Sequence, residues 1–356
     1  MPELRKDPIS GSWVIFSPER KIRPLFYQPA GEDTLLPENC PFCEGNEPMT
    51  PGEIYAVRHD QAEANKPGWQ LRVVPNKFPA LQVEGELNKR GEGFYDKMNG
   101  IGAHEVVIET SSHTNDVDNL EIEQVTHIFR AHKKRILDLQ RDKRFKYIQV
   151  FKNHKAMAGA TISHSHSQIV ALPVIPPAIK EKINRAETHF NAKERCIFCD
   201  IIDHERVFQK RVLFENNDYI VMSPYAPRLP FELVIYPRGH SASFENTGDA
   251  ALESLANIFR DTIARINKVL ERPAYNLILN NSPFDFEKES NYKKCFHWHI
   301  ELVPVITGTG GFELGTNSYI NSTLPEEAVE ILRVASGGPA DVSRAKLLEK
   351  FDQNFL

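Results

Sequence analysis

Two long stretches of the chain place apolar residues at the three- and four-residue steps of an amphipathic helix. They predict one helix over residues 120–141 and a second over about 249–271. A third, more polar helix is predicted over about 179–193, where it would connect two parts of the chain. The two stripes consist of Val125, Ile128, Phe129, His132, Ile136 and Leu139, and of Leu252, Leu255, Ile258, Phe259, Ile263, Ile266 and Leu270.

Short runs of apolar and β-branched residues predict strands before and between these helices. One such run, Ile169 to Leu172, directly follows the segment His164-Ser-His166-Ser-Gln168. The two histidines are therefore predicted at the start of a strand, where residues two apart share a face and lie about 7 Å from each other. Further strands are predicted at 13–16, 71–74, 104–108 and 147–151, and residues 85–100 are polar and glycine-rich and predict a loop.

The order of these features repeats in the second half of the chain. Cys196-Ile-Phe-Cys199 matches Cys40-Pro-Phe-Cys43, and His297-Trp-His299 matches His164-Ser-His166. Glu232-Leu-Val-Ile235 matches Glu105-Val-Val-Ile108, and a histidine follows each glutamate by eight residues. The two amphipathic helices and the strands that follow them, 147–153 and 275–281, also correspond. The sequence thus predicts an internal duplication, with halves at 1–178 and 179–356.

Composition places the chain among globular proteins with a sizeable core. It has 356 residues, 41% hydrophobic and 26% charged, and a net charge of −5. The acidic balance argues against a non-specific nucleic-acid binder, which is usually basic. No apolar run is long enough for a membrane span, and the first residues lack the apolar segment of a signal peptide. We therefore expect a cytoplasmic protein with no nucleic-acid or membrane partner.

Four of the five cysteines form the two C-x-x-C pairs, which in a reducing compartment indicate metal or redox chemistry. The proline- and glycine-rich turn around Cys40 favours a zinc knuckle over a thioredoxin-like site. Zinc needs four ligands, and the repeat supplies two histidines for each pair. The sequence predicts two zinc ions per chain, one held by Cys40, Cys43, His113 and His164, and the other by Cys196, Cys199, His240 and His297.

If His164 binds metal, His166 is left for other chemistry. An isolated His-x-His segment consists of one buried and one surface histidine about as often as it forms a functional pair. The surrounding motifs therefore decide its interpretation. In the second half His299 is present, but Ile300 and Glu301 replace Ser167 and Gln168. We therefore predict that only the first half keeps the full set of reactive residues.

The chain resembles the galactose-1-phosphate uridylyltransferase family through a combination of motifs. These are Asn153, Gly159-Ala-Thr161, His164-x-His166-x-Gln168 and the metal motifs. This family belongs to the histidine-triad superfamily. The resemblance covers about residues 5 to 335 and implies an α+β fold. That fold is a duplicated histidine-triad-like unit with a predominantly antiparallel sheet, packed helices and zinc. It also implies a homodimer with its site near the subunit interface.

The resemblance implies a ping-pong nucleotidyl transfer through a covalent nucleotidyl-histidine. His166 would attack the α-phosphorus of a nucleotide sugar, release a hexose 1-phosphate and pass the nucleotide to an acceptor. Zinc would support the site without activating water. The positions that match the family's substrate contacts are Arg20, Arg23, Asn76, Asn153, Thr161, Gln168, Phe312 and Glu313.

Two departures from the better-known relatives concern the substrate. Those relatives have His-Pro-His-Gly-Gln, whereas this chain has Ser165 and Ser167, and the segment after Glu313 also differs. Both departures resemble a branch described as ADP-glucose phosphorylase, which uses ADP-glucose and inorganic phosphate. The first interpretation is a transferase acting on UDP-glucose and a hexose 1-phosphate. The alternative is ADP-glucose phosphorolysis, and a remote third is a non-catalytic zinc protein.

Overall fold

The centre of the computed structural model is one continuous sheet of ten strands. The structure describes residues 2–22, 36–59, 61–113, 116–284 and 292–335. Every neighbouring pair in the large sheet is antiparallel, in the order β10-β11-β12-β14-β13-β8-β9-β7-β4-β3. Its strands are β3 (Tyr55–Arg58), β4 (Trp69–Pro75), β7 (Ala103–Ile108), β8 (Tyr147–His154), β9 (His166–Leu172), β10 (Val212–Glu215), β11 (Tyr219–Met222), β12 (Leu233–Pro237), β13 (Tyr275–Asn280) and β14 (His299–Pro304).

Two smaller sheets and seven α-helices complete the described part of the chain. A three-stranded sheet contains β1 (Glu3–Lys6), β2 (Trp13–Phe16) and β15 (Tyr319–Asn321), and a hairpin contains β5 (Arg90–Glu92) and β6 (Tyr95–Lys97). The helices are α1 (Ile122–Leu139), α2 (Pro177–Lys193), α3 (Ile197–Phe208), α4 (Asp249–Leu270), α5 (Tyr292–Cys295), α6 (Gly311–Thr316) and α7 (Pro325–Val334). Within these residues, no helix combines the length and apolar character needed to cross a bilayer.

The core forms where α1 and α4 pack on one face of the large sheet, here called the back face. The predicted stripes on both helices are buried there against alternate strand residues such as Val150, Ile169 and Ile300; Leu270 is partly buried. Since strand side chains alternate between faces, His166, Gln168, His299 and Glu301 lie on the opposite face, called the front face. Helices α2 and α3 cover the second half of the front face through a separate apolar cluster.

The strand order makes the duplication visible. Reading outwards from the central pair, β8, β9, β7, β4 and β3 correspond in order to β13, β14, β12, β11 and β10. The two halves meet where β8 pairs with β13, with Phe151 opposite Ile278. The predicted α+β fold with a predominantly antiparallel sheet is therefore confirmed. The division after residue 178 falls at the start of α2 and stays a prediction.

One local expectation differs from the structure, and the two C-x-x-C pairs differ from each other. Residues 85–100, expected as a loop, include the β5–β6 hairpin, which turns at Gly93 with φ of 62°. The second C-x-x-C pair does not lie in a turn like the first, because Cys196 precedes α3 and Cys199 lies in its first turn. The first pair lies in a turn between two short 3-10 helices.

Candidate active site and metal sites

The structure brings the first predicted ligand set together at the edge of the front face. The donor atoms of Cys40, Cys43, His113 and His164 all lie within 4.8 Å of one another. Cys43 Sγ lies 3.2 Å from His113 Nδ1 and 3.5 Å from His164 Nδ1, and Cys40 Sγ lies 3.7 Å from His164 Nδ1. Two sulfurs and two nitrogens converging in this way could hold a metal ion.

The second predicted set converges in the same way. The donor atoms of Cys196, Cys199, His240 and His297 also lie within 4.8 Å of one another. A hydrogen bond between the two thiols lowers the pKa of Cys196 to about 3 and raises the pKa of Cys199. The thiols therefore share one proton, which a bound cation would displace because metals bind thiolates.

Backbone carbonyls orient His164, His240 and His297. Nε2 of His164 donates to the Thr110 carbonyl at 2.7 Å, Nε2 of His297 to Pro237 at 2.8 Å, and Nε2 of His240 to Lys293 at 2.9 Å. With the proton on Nε2, the lone pair on Nδ1 points at the thiols. Metal-bound histidines are typically held by such hydrogen bonds.

His166 opens β9 and is presented in a single tautomer. Its Nδ1 lies 2.8 Å from the His164 carbonyl, so Nδ1 carries the proton and Nε2 keeps its lone pair. Burial lowers the pKa of His166; the His164 carbonyl opposes this shift and the ammonium of Lys152 adds to it. The Phe42 ring packs 5.2 Å from the imidazole. The residue is thus a neutral imidazole with one available nitrogen, the form that acts as a nucleophile.

Two of the predicted substrate contacts, Gln168 and Asn76, lie beside one another. Gln168 is on β9 two residues after His166, and Asn76 follows β4. Both side chains approach Nε2 of His104, at 2.7 Å for Gln168 Oε1 and 3.1 Å for Asn76 Nδ2. His104 therefore lies between two residues that the sequence placed in the site separately.

Asn153 lies near the end of β8, and Thr161 lies in the loop that follows this strand. The Asn153 oxygen accepts a hydrogen bond from Asn276 at 2.9 Å, across the junction of the two halves. Thr161 is exposed in the loop between β8 and β9. This loop turns at Gly159, whose φ of 94° suits glycine.

The other predicted contacts lie elsewhere or outside the described residues. Arg20 is exposed in a short 3-10 helix, and Arg23 lies outside the described residues. Phe312 and Glu313 lie on α6, which packs against β15. Among the residues that the structure describes, no hydrogen bond or ring contact connects these side chains to His166 in the same chain.

A buried polar cluster lies behind β9, on the back face. The ammonium of Lys152 donates to Glu109 at 2.6 Å, to Ser165 Oγ at 2.9 Å and to the His166 carbonyl at 3.2 Å. Ser165 Oγ also donates to Glu109 at 2.7 Å. None of these side chains is more than 4% exposed. The cluster anchors the backbone that carries His166.

The equivalent position in the second half is electrostatically different. His299 Nδ1 donates to the His297 carbonyl at 2.9 Å, like its counterpart, but its Nε2 lies 3.5 Å from a Glu301 oxygen. Glu301 pairs with Lys182 and Arg228 beside a cavity of about 370 Å³. A carboxylate therefore stands where the first half has the amide of Gln168, and a carboxylate has no N–H to donate to a phosphoryl oxygen.

Sequence reasoning missed His104, Lys152 and Glu109. A partial signal for His104 was present, because strand alternation puts its side chain on the same face as that of Val106. The pairing of Val106 with Gln168, which brings that face to the site, is visible only in the structure. Lys152 and Glu109 gave no such signal, since a charged residue at a strand end is usually solvated.

The chain is similar to a described family over about its first half and to curated relatives over nearly its whole length. The family described as "Galactose-1-phosphate uridyl transferase, N-terminal domain" matches residues 1–176. The chain is 36% identical to the ADP-glucose phosphorylase of Arabidopsis thaliana, over 94% of this chain and 93% of that protein. It is 27% identical to the galactose-1-phosphate uridylyltransferase of Thermotoga maritima, over 94% and 98% of the two chains.

Solved structures agree with the sequence comparisons. The crystal structure of the ADP-glucose phosphorylase from Arabidopsis thaliana with bound ADP-glucose superposes with a TM-score of 0.80. That match has 34% identity and covers 94% of this chain and 99% of the other. A uridylyltransferase structure at 24% identity gives a TM-score of 0.72 over 94% and 98% of the two chains, and supports the fold alone.

Proposed function

Because the chain belongs to the galactose-1-phosphate uridylyltransferase family, we propose that it is a nucleotidyltransferase of the ADP-glucose phosphorylase type. It would convert ADP-glucose and inorganic phosphate into ADP and glucose 1-phosphate. The observation that carries the choice of substrate is the 36% identity to an ADP-glucose phosphorylase over nearly the whole chain, against 27% for a uridylyltransferase. The comparisons thus favour the alternative interpretation of the sequence over the UDP-glucose interpretation.

The proposed reaction has two displacements at one phosphorus. In the first, Nε2 of His166 attacks the α-phosphorus of ADP-glucose, and the bond to the glucose 1-phosphate oxygen breaks. In the second, an oxygen of inorganic phosphate attacks the adenylyl-histidine, which forms ADP and returns the electron pair to Nε2. The proton stays on Nδ1, which donates to the His164 carbonyl, and this hydrogen bond stabilises the cationic ring of the intermediate. Gln168 would donate to the phosphoryl oxygens as charge develops on them.

We propose that residues from a second copy complete the site. Arg20, Phe312 and Glu313 match the family's substrate contacts, yet within one chain they have no described contact with His166. A homodimer could bring these side chains over the partner's His166. Size-exclusion chromatography with light scattering should then give twice the chain mass, and a monomer that is fully active would contradict this arrangement.

Substrate choice is tested by offering both nucleotide sugars to the purified protein. We expect phosphate-dependent release of ADP and glucose 1-phosphate from ADP-glucose, at least about 10-fold faster than any turnover of UDP-glucose, a difference of ~1.4 kcal/mol in the barrier. Turnover of UDP-glucose with galactose 1-phosphate, without turnover of ADP-glucose, would instead support the uridylyltransferase interpretation. No reaction with either sugar, in a protein with intact metal, would support the non-catalytic zinc protein.

We also propose that both metal sites hold zinc in a structural role. Each offers two cysteines and two histidines, the closed four-ligand set of structural zinc. Zinc bound there would hold the Cys40–Cys43 turn and the start of α3 against the sheet, next to the strands that carry His166 and His299. Every catalytic step is left to the side chains.

Metal analysis tests the zinc sites one at a time. We expect two zinc ions per wild-type chain, and one after Cys40→Ser or Cys196→Ser, measured by inductively coupled plasma mass spectrometry. Cys295→Ser is the matched control, because Cys295 is equally buried but belongs to neither ligand set. It should keep both ions. A Cys40→Ser protein that still holds two zinc ions would contradict the first site.

A further inference from the structure

His104 holds the side-chain amide of Gln168 by its oxygen. The two residues lie on the neighbouring strands β7 and β9, where Val106 pairs with Gln168 and puts His104 diagonally opposite it on the front face. Gln168 Oε1 lies 2.7 Å from His104 Nε2. The other ring nitrogen, Nδ1, accepts the backbone N–H of Ala80 at 3.2 Å. Since Nδ1 is an acceptor, the proton of the neutral ring is on Nε2, which donates to the Gln168 oxygen.

The nearby amide of Asn76 does not reverse this assignment. Its oxygen accepts the backbone N–H of Phe78 at 2.9 Å, so its NH2 group faces His104 Nε2 at 3.1 Å. In the other tautomer of His104, Nδ1 carries the proton and Nε2 could accept a hydrogen bond from the Asn76 NH2 group. That tautomer would place Nδ1–H against the backbone N–H of Ala80, so that two donors face each other. A backbone N–H cannot rotate away, whereas a side-chain amide can, so the Nε2–H tautomer is favoured.

This hydrogen bond decides which end of the Gln168 amide is available for other contacts. A glutamine amide can present either a donor or an acceptor, and its orientation follows from its hydrogen-bond partners. With Oε1 taken by His104, the NH2 group is the end left to face the site. An acceptor in that place would repel a phosphoryl oxygen, and a donor stabilises it.

We propose that His104 is a positioning residue for nucleotidyl transfer, which fixes the Gln168 amide so that its NH2 group meets the α-phosphoryl group. The inference rests on the proposed function. His104 acts only through Gln168 and does not itself touch the reacting atoms. Removing it should slow the chemical step and leave binding of the nucleotide sugar largely unchanged, because the effect grows with charge in the transition state.

A double-mutant cycle tests this coupling. His104→Phe keeps a ring and removes both nitrogens, and Gln168→Ala removes the amide. The rate of labelling by ADP-glucose carrying a radioactive α-phosphate is measured in a single turnover, together with the apparent Kd. We expect His104→Phe to lower the rate about 10- to 100-fold with less than about a threefold change in Kd, within the usual range for an orienting partner. In the double variant the rate should equal that of Gln168→Ala alone.

Two further variants guard against a purely structural explanation. His104→Gln can still donate to Gln168 Oε1, and it should recover a large part of the rate. His127→Leu removes a histidine of α1 that contacts Arg130 on the back-face helix, and it should react like the wild type. If His104→Phe does not fold by circular dichroism, His104→Leu replaces it in the same cycle.

The outcomes separate this inference from the proposed function. A wild-type rate in the folded His104 variant, or multiplying losses in the double variant, would overturn the role of His104 alone. A wild-type protein that takes no nucleotide from either ADP-glucose or UDP-glucose would overturn the proposed function as well. Equal rates for the double variant and Gln168→Ala, with a slowed His104→Phe, support the inference.

Discussion

A protein with asparagine in place of His166 is expected to lose ADP-glucose phosphorolysis by at least about 10⁴-fold, as removal of a covalent nucleophile typically does. Asparagine is polar and close in size, so its side chain can still donate to the His164 carbonyl that holds Nδ1 of His166. What it lacks is the nitrogen lone pair of Nε2. The measurement is the steady-state rate of glucose 1-phosphate formation at saturating ADP-glucose.

His299→Asn is the matched control for this variant. His299 has the same position in the second half and the same hydrogen bond, from Nδ1 to the carbonyl two residues before it. Its Nε2 faces the carboxylate of Glu301, so it has no role in the proposed reaction. We expect the folded His299→Asn protein to keep activity within about threefold of the wild type. Comparable losses in both variants would mean that His166 has no special role.

The second large effect is expected on stability, from Lys152→Met. Burial alone would raise the pKa of Glu109, but the ammonium and the two hydrogen bonds that it receives lower it below its ordinary value. The carboxylate is therefore charged in the folded protein at neutral pH. Without Lys152 it is left buried and unpaired, which typically costs about 3–5 kcal/mol of unfolding free energy. Urea unfolding followed by circular dichroism measures the loss.

Lys66→Met provides the comparison for an exposed ion pair. Lys66 contacts Glu63 at 2.8 Å, with both side chains mostly exposed, and such pairs contribute little. We expect a change within about 0.5 kcal/mol. Adding Glu109→Gln to Lys152→Met should recover part of the stability, because it removes the buried charge. Equal stability of the Lys152→Met and Lys66→Met proteins would contradict the role given to the buried pair.

Hydrophobic periodicity and the internal duplication predict most of the fold from the sequence. The stripes of α1 and α4 are set by the 3.6-residue repeat, and each strand prediction rested on local apolar runs. The ligand sets could be predicted because in both copies a histidine follows the matched glutamate by eight residues. The structure brings His113 and His240 to their cysteines, although each histidine lies more than 40 positions after its pair.

The two serines of the His-Ser-His-Ser-Gln segment show where sequence reasoning stopped. Both are departures from the better-known relatives, and both are adjacent in sequence to His166. In the structure both point away from the front face: Ser165 contacts Glu109 and Lys152, and Ser167 lies 2.8 Å from His132 Nε2. These serines make hydrogen bonds on the back face that anchor β9 and the residue before it. Partners so distant in sequence cannot be read from a motif.

The surroundings of Glu301 support the prediction that only the first half keeps the full set of reactive residues. The scaffold, the metal ligands and the tautomer of the second histidine are kept in both. In the proposed reaction, the change from an amide at Gln168 to a carboxylate at Glu301, neutralised by Lys182 and Arg228, would replace a donor for phosphate with an internal ion pair. The sequence showed the substitution, but it gave no sign of its two cationic partners.

The most direct test of the proposed chemistry is to isolate the covalent intermediate. Wild-type protein is mixed with ADP-glucose in the absence of phosphate, quenched in alkali and digested, and the modified peptide is located by mass spectrometry. We expect one adenylyl group on His166, glucose 1-phosphate released in equal amount, and conversion of the adduct to ADP when phosphate is added. Phosphate-dependent formation of glucose 1-phosphate with no adenylylated His166 peptide would contradict the account.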